Sequence, residues 1–340
     1  MSTTLDHRIG IKKETTYGTP VTVSRFYPYL DGTKSEWNAR GRQGKGIISG
    51  ARRTDLAPRA FLPLTGQGQI TLKVELESKA AGVLLDLALG VSVVTAITGG
   101  SQINFHPGIT GTVLPSATIQ IVKVQNTGVE AVETYAGCTA SKVTIEQPED
   151  DVATLTVEFD ALSYTTATAA ATAAYPTAPV IFDASQVSCG LGGTLTLPTT
   201  LLAASGLTAF AEFKSFKVEV DQKIDTGRWI LSAGGRNQPV AGQPQLKFSG
   251  KAEYNSTTVP TALAAGTMLP FYATWTTGET LGAGTTQLQV VVPAMRITKG
   301  LPAPKAGETV ELDVDADIFN TGVAGVQDLY VVYRTTDTAL

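Results

Sequence analysis

The sequence is poor in charged residues, histidine and cysteine. Only 16% of its 340 residues are Asp, Glu, Lys or Arg, against roughly a quarter in ordinary globular proteins. The net charge of −4 argues against a nucleic-acid clamp, which needs a strongly basic face. Low charge in a chain rich in Thr, Ala, Gly and Val is typical of a β protein whose surface is largely covered by neighbours.

Long apolar runs and paired cysteines are also missing. No run approaches the roughly 20 apolar residues of a membrane-spanning helix, and the opening residues Met1 to Thr4 carry no apolar signal region. We therefore expect neither export by a standard signal nor membrane insertion. Cys138 and Cys189 show no CxxC spacing, which favours buried free thiols and synthesis in a reducing cytoplasm over a disulfide.

Motifs for catalysis or cofactor binding are not found. His7 and His106 belong to no HExxH pattern, and GxSxG does not occur. In the loop Gly41–Gly46 the glycines are too closely spaced for a phosphate-binding loop, and no Ser or Thr follows Lys45. The sequence therefore predicts neither an enzyme nor a cofactor or metal.

A strand, a long Gly/Arg-rich loop, a strand and a helix are predicted between Phe26 and Gly90. The first strand is expected to run on to Trp37. Gln69 to Glu77 alternates apolar and polar residues, the period-2 pattern of a half-buried antiparallel strand. The helix that follows has Ser78 as its predicted N-cap and ends at Gly90.

The same order recurs from Phe210 to Gly266, with a shorter helix, Thr261–Ala265. The loop residues 231–237 are similar to 48–53, and an offset of 184 residues places Arg52 on Arg236. We interpret this recurrence as an internal duplication.

The two halves are predicted to meet at a linker. Residues 165–174 are almost entirely Thr and Ala and are followed by two prolines, so the segment has little to bury. This predicts domains at residues 1–164 and 181–340, joined by a linker at 165–180. Each half closes with an alternating strand, Leu155–Asp160 in the first and Leu312–Asp317 in the second.

The second of these strands puts four carboxylates, Glu311, Asp313, Asp315 and Asp317, on one face. A calcium site is one interpretation, because hard cations bind carboxylate oxygens. Same-face residues of a straight strand lie about 6.5–7 Å apart, however, and do not curl around an ion. We favour a solvated acidic face, since the flanking strands are expected to offer few cations.

Several segments resemble the major tail tube proteins of long-tailed (siphovirus-type) bacteriophages. Gly10 to Pro20 with Arg25-Phe26 resembles the start of such proteins, and Ile70–Gly90 and Tyr135–Ile145 continue the likeness. The resemblance covers most of the first half by motif and the second half by architecture.

The resemblance implies a mainly β fold of two tandem tail-tube-like β-sandwich or half-barrel domains, each with a short flanking helix. Subunits of that family form stacked rings through which DNA leaves without specific binding. A duplicated chain then forms a ring of three copies, the alternative being six copies with an extra domain. The implied location is the virion tail, after synthesis in the host cytoplasm, and the implied partners are the tape measure, tail terminator and distal tail proteins.

Two groups of residues are assigned to these roles as hypotheses. The long loop is expected to contact a neighbouring ring or subunit, and the acidic strand faces are expected to line the channel. The main alternative is another structural β-sandwich protein, a capsid decoration protein or an adhesin. The loop set is Arg40, Arg42, Lys45, Arg52, Arg53 and Arg59, and the channel set is Glu158, Asp160, Asp313, Asp315 and Asp317.

Overall fold

A computed structural model describes residues 7–43, 61–108, 111–199, 204–230, 236–282, 284–302, 307 and 309–337, with the side chains of 39–43 and 61–66 left out. The described chain is mainly β and largely antiparallel, as predicted, with two short α-helices. Strands β1 to β9 are Arg8–Lys13, Arg25–Tyr27, Lys34–Gln43, Phe61–Glu75, Gly90–Ile97, Gly100–Pro107, Ser116–Val124, Glu130–Gln147 and Thr154–Ala161. Strands β10 to β18 are Ser163–Thr165, Val187–Thr196, Ser205–Ala209, Phe213–Asp221, Gln245–Glu253, Met268–Leu281, Gly284–Lys299, Glu311–Ile318 and Tyr330–Thr335. The helices α1 and α2 are Ala81–Leu89 and Thr258–Ala265.

Eight antiparallel strands from both halves form one continuous sheet, which we call the long sheet. Its order is β3-β4-β9-β8-β13-β14-β17-β16. One side is apolar, because alternating Val, Ile, Leu and Phe side chains turn inward along each strand. The other side, which we call the polar face, carries the residues between them.

A second layer covers the apolar side. In the first half, β7 pairs with β1 and with the N-terminal part of β8, while β10 pairs with the other edge of β8. In the second half, β15 pairs with β11 and β16, while β18 pairs with the other edge of β16. Strand β18 also pairs with β6 of the first half. All residues of α1 are buried, and this helix contacts β8, β6 and β5.

The ends of both helices agree with the prediction, but their starts do not. Gly90 ends α1 with φ 90° and Gly266 ends α2 with φ 63°, a conformation that suits glycine. Ser78 is not the N-cap of α1. Its hydroxyl accepts a hydrogen bond from Val180 N and its carbonyl accepts one from the Thr335 hydroxyl, which ties the helix entry to the predicted linker and to the second half. Helix α2 begins at Thr258, earlier than predicted.

The predicted continuous strand from Arg25 to Trp37 is wrong. Strand β2 stops after Tyr27 and β3 starts at Lys34. Between them Tyr29 forms a single antiparallel bridge with Val74, and a turn at Asp31-Gly32, with Gly32 at φ 99°, interrupts the pairing along β4. Strand β5 was missed by the sequence analysis, since its Gly, Ser and Thr residues weaken the alternation.

The predicted linker packs along the first half. Gln120 accepts a hydrogen bond from Ala171 N and donates one to Ala169 O, and Phe26 N donates to Ala174 O. Buried apolar residues of both halves form one contiguous core. The domain boundaries at 164 and 181 stay a prediction.

Candidate functional site

The long sheet ends at two edges without a partner strand among the described residues. Strand β3 pairs only with β4. At the other end, the pairing of β15 with β16 stops at Arg296, so Ile297 to Lys299 pair with β17 alone. Unpaired edges expose backbone N–H and C=O groups that recruit another strand.

Between these edges, strands β8 and β13 join the two halves in an unbroken register. Lys142 lies opposite Asp221, Ile145 opposite Val218 and Gln147 opposite Phe216. The ion pair of Lys142 Nζ with Glu219 Oε1, 3.0 Å apart, crosses this junction.

The polar face carries both signs of charge. The expectation that strands flanking β17 offer few cations is wrong, because Lys247 and Lys251 on β14 and Arg296 and Lys299 on β16 lie beside its carboxylates. By alternation, the acidic residues of this face are Glu36, Glu75, Glu146, Glu158, Asp160, Glu219, Asp221, Glu253, Glu311, Asp313, Asp315 and Asp317. The basic residues are Lys34, Lys73, Lys142, Lys214, Lys217, Lys247, Lys251, Arg296 and Lys299.

The predicted acidic residues differ in their surroundings. Asp313 is exposed and lies 3.2 Å from Lys299 Nζ. Glu311 accepts a hydrogen bond of 2.8 Å from Lys214, which lowers the pKa of Glu311. Glu158 is exposed, while Asp315 and Asp317 are half-buried. No ion pair involves these last three carboxylates within the described part of the chain.

Asp160 departs from the predicted solvated face. It is 5% exposed and forms an ion pair with Arg236, which is 4% exposed and lies in the loop between β13 and β14. Gln67 Nε2 donates a further hydrogen bond of 3.1 Å to Asp160 Oδ1. The loop from the second half therefore closes over the end of β9 in the first half.

Arg236 is held as a buried cation. Burial lowers the pKa of its guanidinium, but the hydrogen bond and charge of Asp160 outweigh burial, and the pKa is raised overall. Its Nη2 lies 3.5 Å from the Tyr17 hydroxyl, whose pKa is raised mainly by burial. This is a charge pair that positions a loop, and sequence reasoning missed it because its partners are 76 residues apart.

A second missed cluster surrounds Glu14 in the opening segment. This carboxylate is 8% exposed and accepts hydrogen bonds from the Ser116 and Thr118 hydroxyls and from the backbone N–H groups of Gly18 and Gly137. The Glu-Thr-Thr-Tyr-Gly order in the sequence was the available signal, since Gly18 takes φ 73° to turn its N–H back to Glu14.

Of the basic residues predicted in the long loop, the structure describes only the first two. The backbone of Arg40 and Arg42 belongs to β3, while Lys45, Arg52, Arg53 and Arg59 lie outside the described residues. Both cysteines are free, Cys138 buried and Cys189 half-buried.

Metal and membrane sites were also sought within the described ranges. No group of three or more His, Cys, Asp or Glu residues there is arranged to hold a metal ion. Neither α-helix has the length and hydropathy needed to cross a bilayer.

Comparison with known proteins gives one clear result. No curated protein matches the chain. The profile of the phage tail tube protein family matches residues 4–318, which is most of the chain. This match assigns a structural role in the virion tail, by self-assembly into a tube, and does not favour a decoration protein, an adhesin or an enzyme. Because this profile covers more than half of the sequence, the chain belongs to the phage tail tube protein family.

Proposed function

We propose that this chain is a duplicated tail tube protein, of the siphovirus type, whose three copies close one ring of the tube. Each half supplies four strands of the long sheet: β3, β4, β9 and β8 from the first, and β13, β14, β17 and β16 from the second. A ring of six such units then needs three chains.

The observation that carries this proposal is a shared irregularity. The pairing of β8 with β9 slips between Ala140 and Lys142, and that of β16 with β17 slips between Ile297 and Lys299. Both slips fall at the same point of the facing strand, before Glu158 in β9 and before Asp315 in β17. Bulges are conserved features of related sheets, so this coincidence favours a common origin of the two halves.

When the two halves are aligned on this bulge, the other strands of the first half match those of the second half by register. Asp160 matches Asp317, Gln67 matches Gln245, and Lys34 and Glu36 of β3 match Lys217 and Glu219 of β13. The proposal keeps the predicted domains 1–164 and 181–340 with the linker 165–180.

In the ring, β3 of one copy adds to the open edge of β16 in the next. The register follows from the junction inside the chain: Lys142 faces Asp221 there, so Lys299 faces Asn38 of the neighbour. Repeating this contact removes both open edges and closes a barrel.

The polar face lines the channel. Glu158 and Asp313 are exposed and Asp315 is half-buried, and the mixture of acidic residues with lysines makes the lining weakly acidic. Repulsion of phosphates acts over about a Debye length, roughly 8–10 Å at physiological salt. DNA therefore passes without binding to the wall.

The loop with Arg40, Arg42, Lys45, Arg52, Arg53 and Arg59 contacts the neighbouring subunit or ring. Loops beyond about 12–15 residues are usually functional or disordered. Deleting Gly44–Thr54 is expected to leave a folded monomer that does not stack, and normal tubes from this deletion would exclude the role. The tape measure, tail terminator and distal tail proteins are the proposed tail partners.

Electron cryomicroscopy of assembled tubes tests the ring. We expect three copies per ring, β3 paired with β16 of the next copy, and the polar face toward the lumen. Six copies per ring, or a long sheet with its helices toward the lumen, would overturn the proposal.

A further inference from the structure

The connection between β4 and α1 is residues 76–80, which we call the α1 entry, and the second half of the chain binds it. Three side chains, in β18 or just after it, form hydrogen bonds with its backbone. These join the Tyr333 hydroxyl to Glu77 O at 2.9 Å, the Thr335 hydroxyl to Ser78 O at 2.6 Å, and Ala80 N to Asp337 Oδ2 at 2.8 Å. The start of a helix in the first half is therefore held by groups 256 or 257 residues away along the chain.

The first turn of α1 provides no capping side chain of its own. Ala80 is the N-cap residue, with φ 77°, and the first turn contains no acidic residue. In a capping box, a Glu or Gln in the first turn accepts a hydrogen bond from the N–H of the N-cap residue. The Asp337 carboxylate performs this function for Ala80, and it brings negative charge to the positive end of the helix dipole.

Asp337 is itself fixed by the first half. Nη2 of Arg25, in β2, lies 2.9 Å from both carboxylate oxygens of Asp337, and the two side chains are 17% and 12% exposed. Hydrogen bonds between ionised groups are roughly twice as strong as those between neutral groups. Strand β18 also pairs with β6 along residues 331–335. The segment that carries Asp337 is thus attached to β2, β6 and α1.

The two halves are therefore joined in both layers of the structure. In the long sheet they meet where β8 pairs with β13, and in the covering layer they meet where β18 pairs with β6 and binds the α1 entry. A single pair of strands leaves the angle between two units soft, since the twist between adjacent strands varies from about −10° to −35°. A join in the second layer restricts this angle, because bending at one join would break the other.

We propose that Asp337, by capping α1 from the second half, is a positioning residue for tube assembly that fixes the angle between the two halves. Subunits that repeat by rotation close a ring only when that rotation is the right one, and otherwise form open filaments. The inference requires self-assembly into a tube but no particular number of copies per ring. It therefore goes beyond the proposed function and does not depend on three copies.

Hydrogen exchange of the full-length monomer tests the cap. Asp337→Ala should raise the exchange rates of backbone amides in α1 and β6 about tenfold or more, as expected for loss of hydrogen bonds to a charged group. Amides of β13 and β14 should change less than about twofold. Asp337→Asn keeps an acceptor oxygen for Ala80 N and loses only the charge that faces Arg25, so its effect should be smaller.

The matched control is Asp328→Ala. Asp328 is also a half-buried aspartate of the second half, but its carboxylate accepts a hydrogen bond from Asn320 within the same loop. This substitution should leave exchange in α1 and tube assembly as in the wild type.

Tube assembly is the readout that a purely local role in stability would not change. At a temperature where circular dichroism shows the Asp337→Ala monomer to be folded, its critical concentration for assembly should rise about tenfold, because each copy must then be brought to the required angle at the expense of assembly. Electron micrographs should show open or irregular filaments beside the tubes. Thr335→Val removes only the hydrogen bond to Ser78 O and should act in the same direction with a smaller effect.

Three results would overturn the inference. Unchanged exchange in α1 after Asp337→Ala would show that the carboxylate does not hold the α1 entry. Faster exchange with normal tubes would restrict the cap to local stability. An effect of Asp337→Asn as large as that of Asp337→Ala would exclude the cap, since Asn retains the acceptor. Should Asp337→Ala fail to fold, the same measurements on Asp337→Asn and Thr335→Val decide, and normal exchange and assembly in both would refute the role.

Discussion

The long sheet contains one closed junction between the halves, where β8 pairs with β13, and two edges that lack a partner strand among the described residues. Inside the chain, six residue pairs from Gln147 opposite Phe216 to Lys142 opposite Asp221 join the halves. At β3 and at the end of β16 the described chain has no such partner. On the proposed duplication, the chain makes one of these contacts during folding, when the halves are tethered, and leaves the other for assembly.

The pockets at Asp160 and Asp317 repeat this contrast at the level of side chains. Asp160 is buried with Arg236, whereas Asp317 is half-buried beside an open pocket. The comparison indicates that an acid at the end of this strand is stable in the core only when a loop brings its cation. The following predictions test the comparison, from the largest effect to the smallest.

Of these changes, removal of Arg236 should cause the largest loss in the free energy of unfolding. Arg236→Ala leaves Asp160 buried without its cation, and we expect a loss of about 3–5 kcal/mol in the free energy of unfolding. Denaturant unfolding of the monomer measures it. Asp317→Ala, the matched change at the open pocket, should cost less than about 0.5 kcal/mol. Equal losses from the two substitutions would contradict the contrast between a buried, paired Asp160 and an Asp317 that is unpaired among the described residues.

A pH effect should distinguish the ends of β4 and β14. Glu77 is 8% exposed, and burial followed by the charge of Glu75 raises its pKa from 4.5 to about 7. Its match by register, Asn255, is exposed. Because the folded state binds the proton more tightly, this group destabilises the fold progressively between pH 4.5 and pH 7 and by a constant amount above.

Glu77→Gln should therefore stabilise the protein at pH 8 but much less at pH 5. The difference between the two gains should be about 2 kcal/mol. Unfolding curves at both values of pH check it, with Asn255→Asp as the control that introduces a carboxyl at the exposed position. A gain from Glu77→Gln that is independent of pH would contradict the raised pKa.

The register of the contact between copies can be tested with a smaller change. Asn38 corresponds to Asp221, which faces Lys142 inside the chain. Asn38→Asp should lower the critical concentration for assembly and Asn38→Lys should raise it, because Lys299 is the expected neighbour. A cross-strand charge pair contributes about 0.2–1 kcal/mol, or roughly a 1.4- to 5-fold change. The opposite order of the two variants would exclude this register.

Substitutions in the polar face should have the smallest effect on tube assembly but a measurable effect on DNA ejection. Glu158→Gln with Asp313→Lys and Asp315→Lys should leave tubes intact, but DNA ejection should slow and become dependent on salt. Ejection from phages that carry these tubes, followed at two salt concentrations, measures it. Unchanged ejection would place this face on the outside of the tube, where carboxylates only maintain solubility.

Local patterns in the sequence predicted much of the fold. Alternation in Gln69–Glu77 and Glu311–Asp317 identified β4 and β17 and the side of each strand that is apolar, because successive strand residues point to opposite faces. Gly90 and Gly266 marked both helix ends, since each takes a positive φ there. Strand β5 was missed because its alternation is weak and its pairing with β6 decides its structure. The break after Tyr27 was missed because the turn at Asp31-Gly32 interrupts residues that could otherwise continue a strand.

By itself, the sequence determined the β class, the repeated order of strand, loop, strand and helix, and the acidic alternation of the closing strands. The tertiary structure decided which strands meet across the halves, that lysines of β14 and β16 interleave with the acids of β17, and that Asp160 is buried against Arg236. The reason is physical: alternation depends on a residue and its chain neighbours, whereas a charge is solvated or paired according to strands and loops that are distant in sequence.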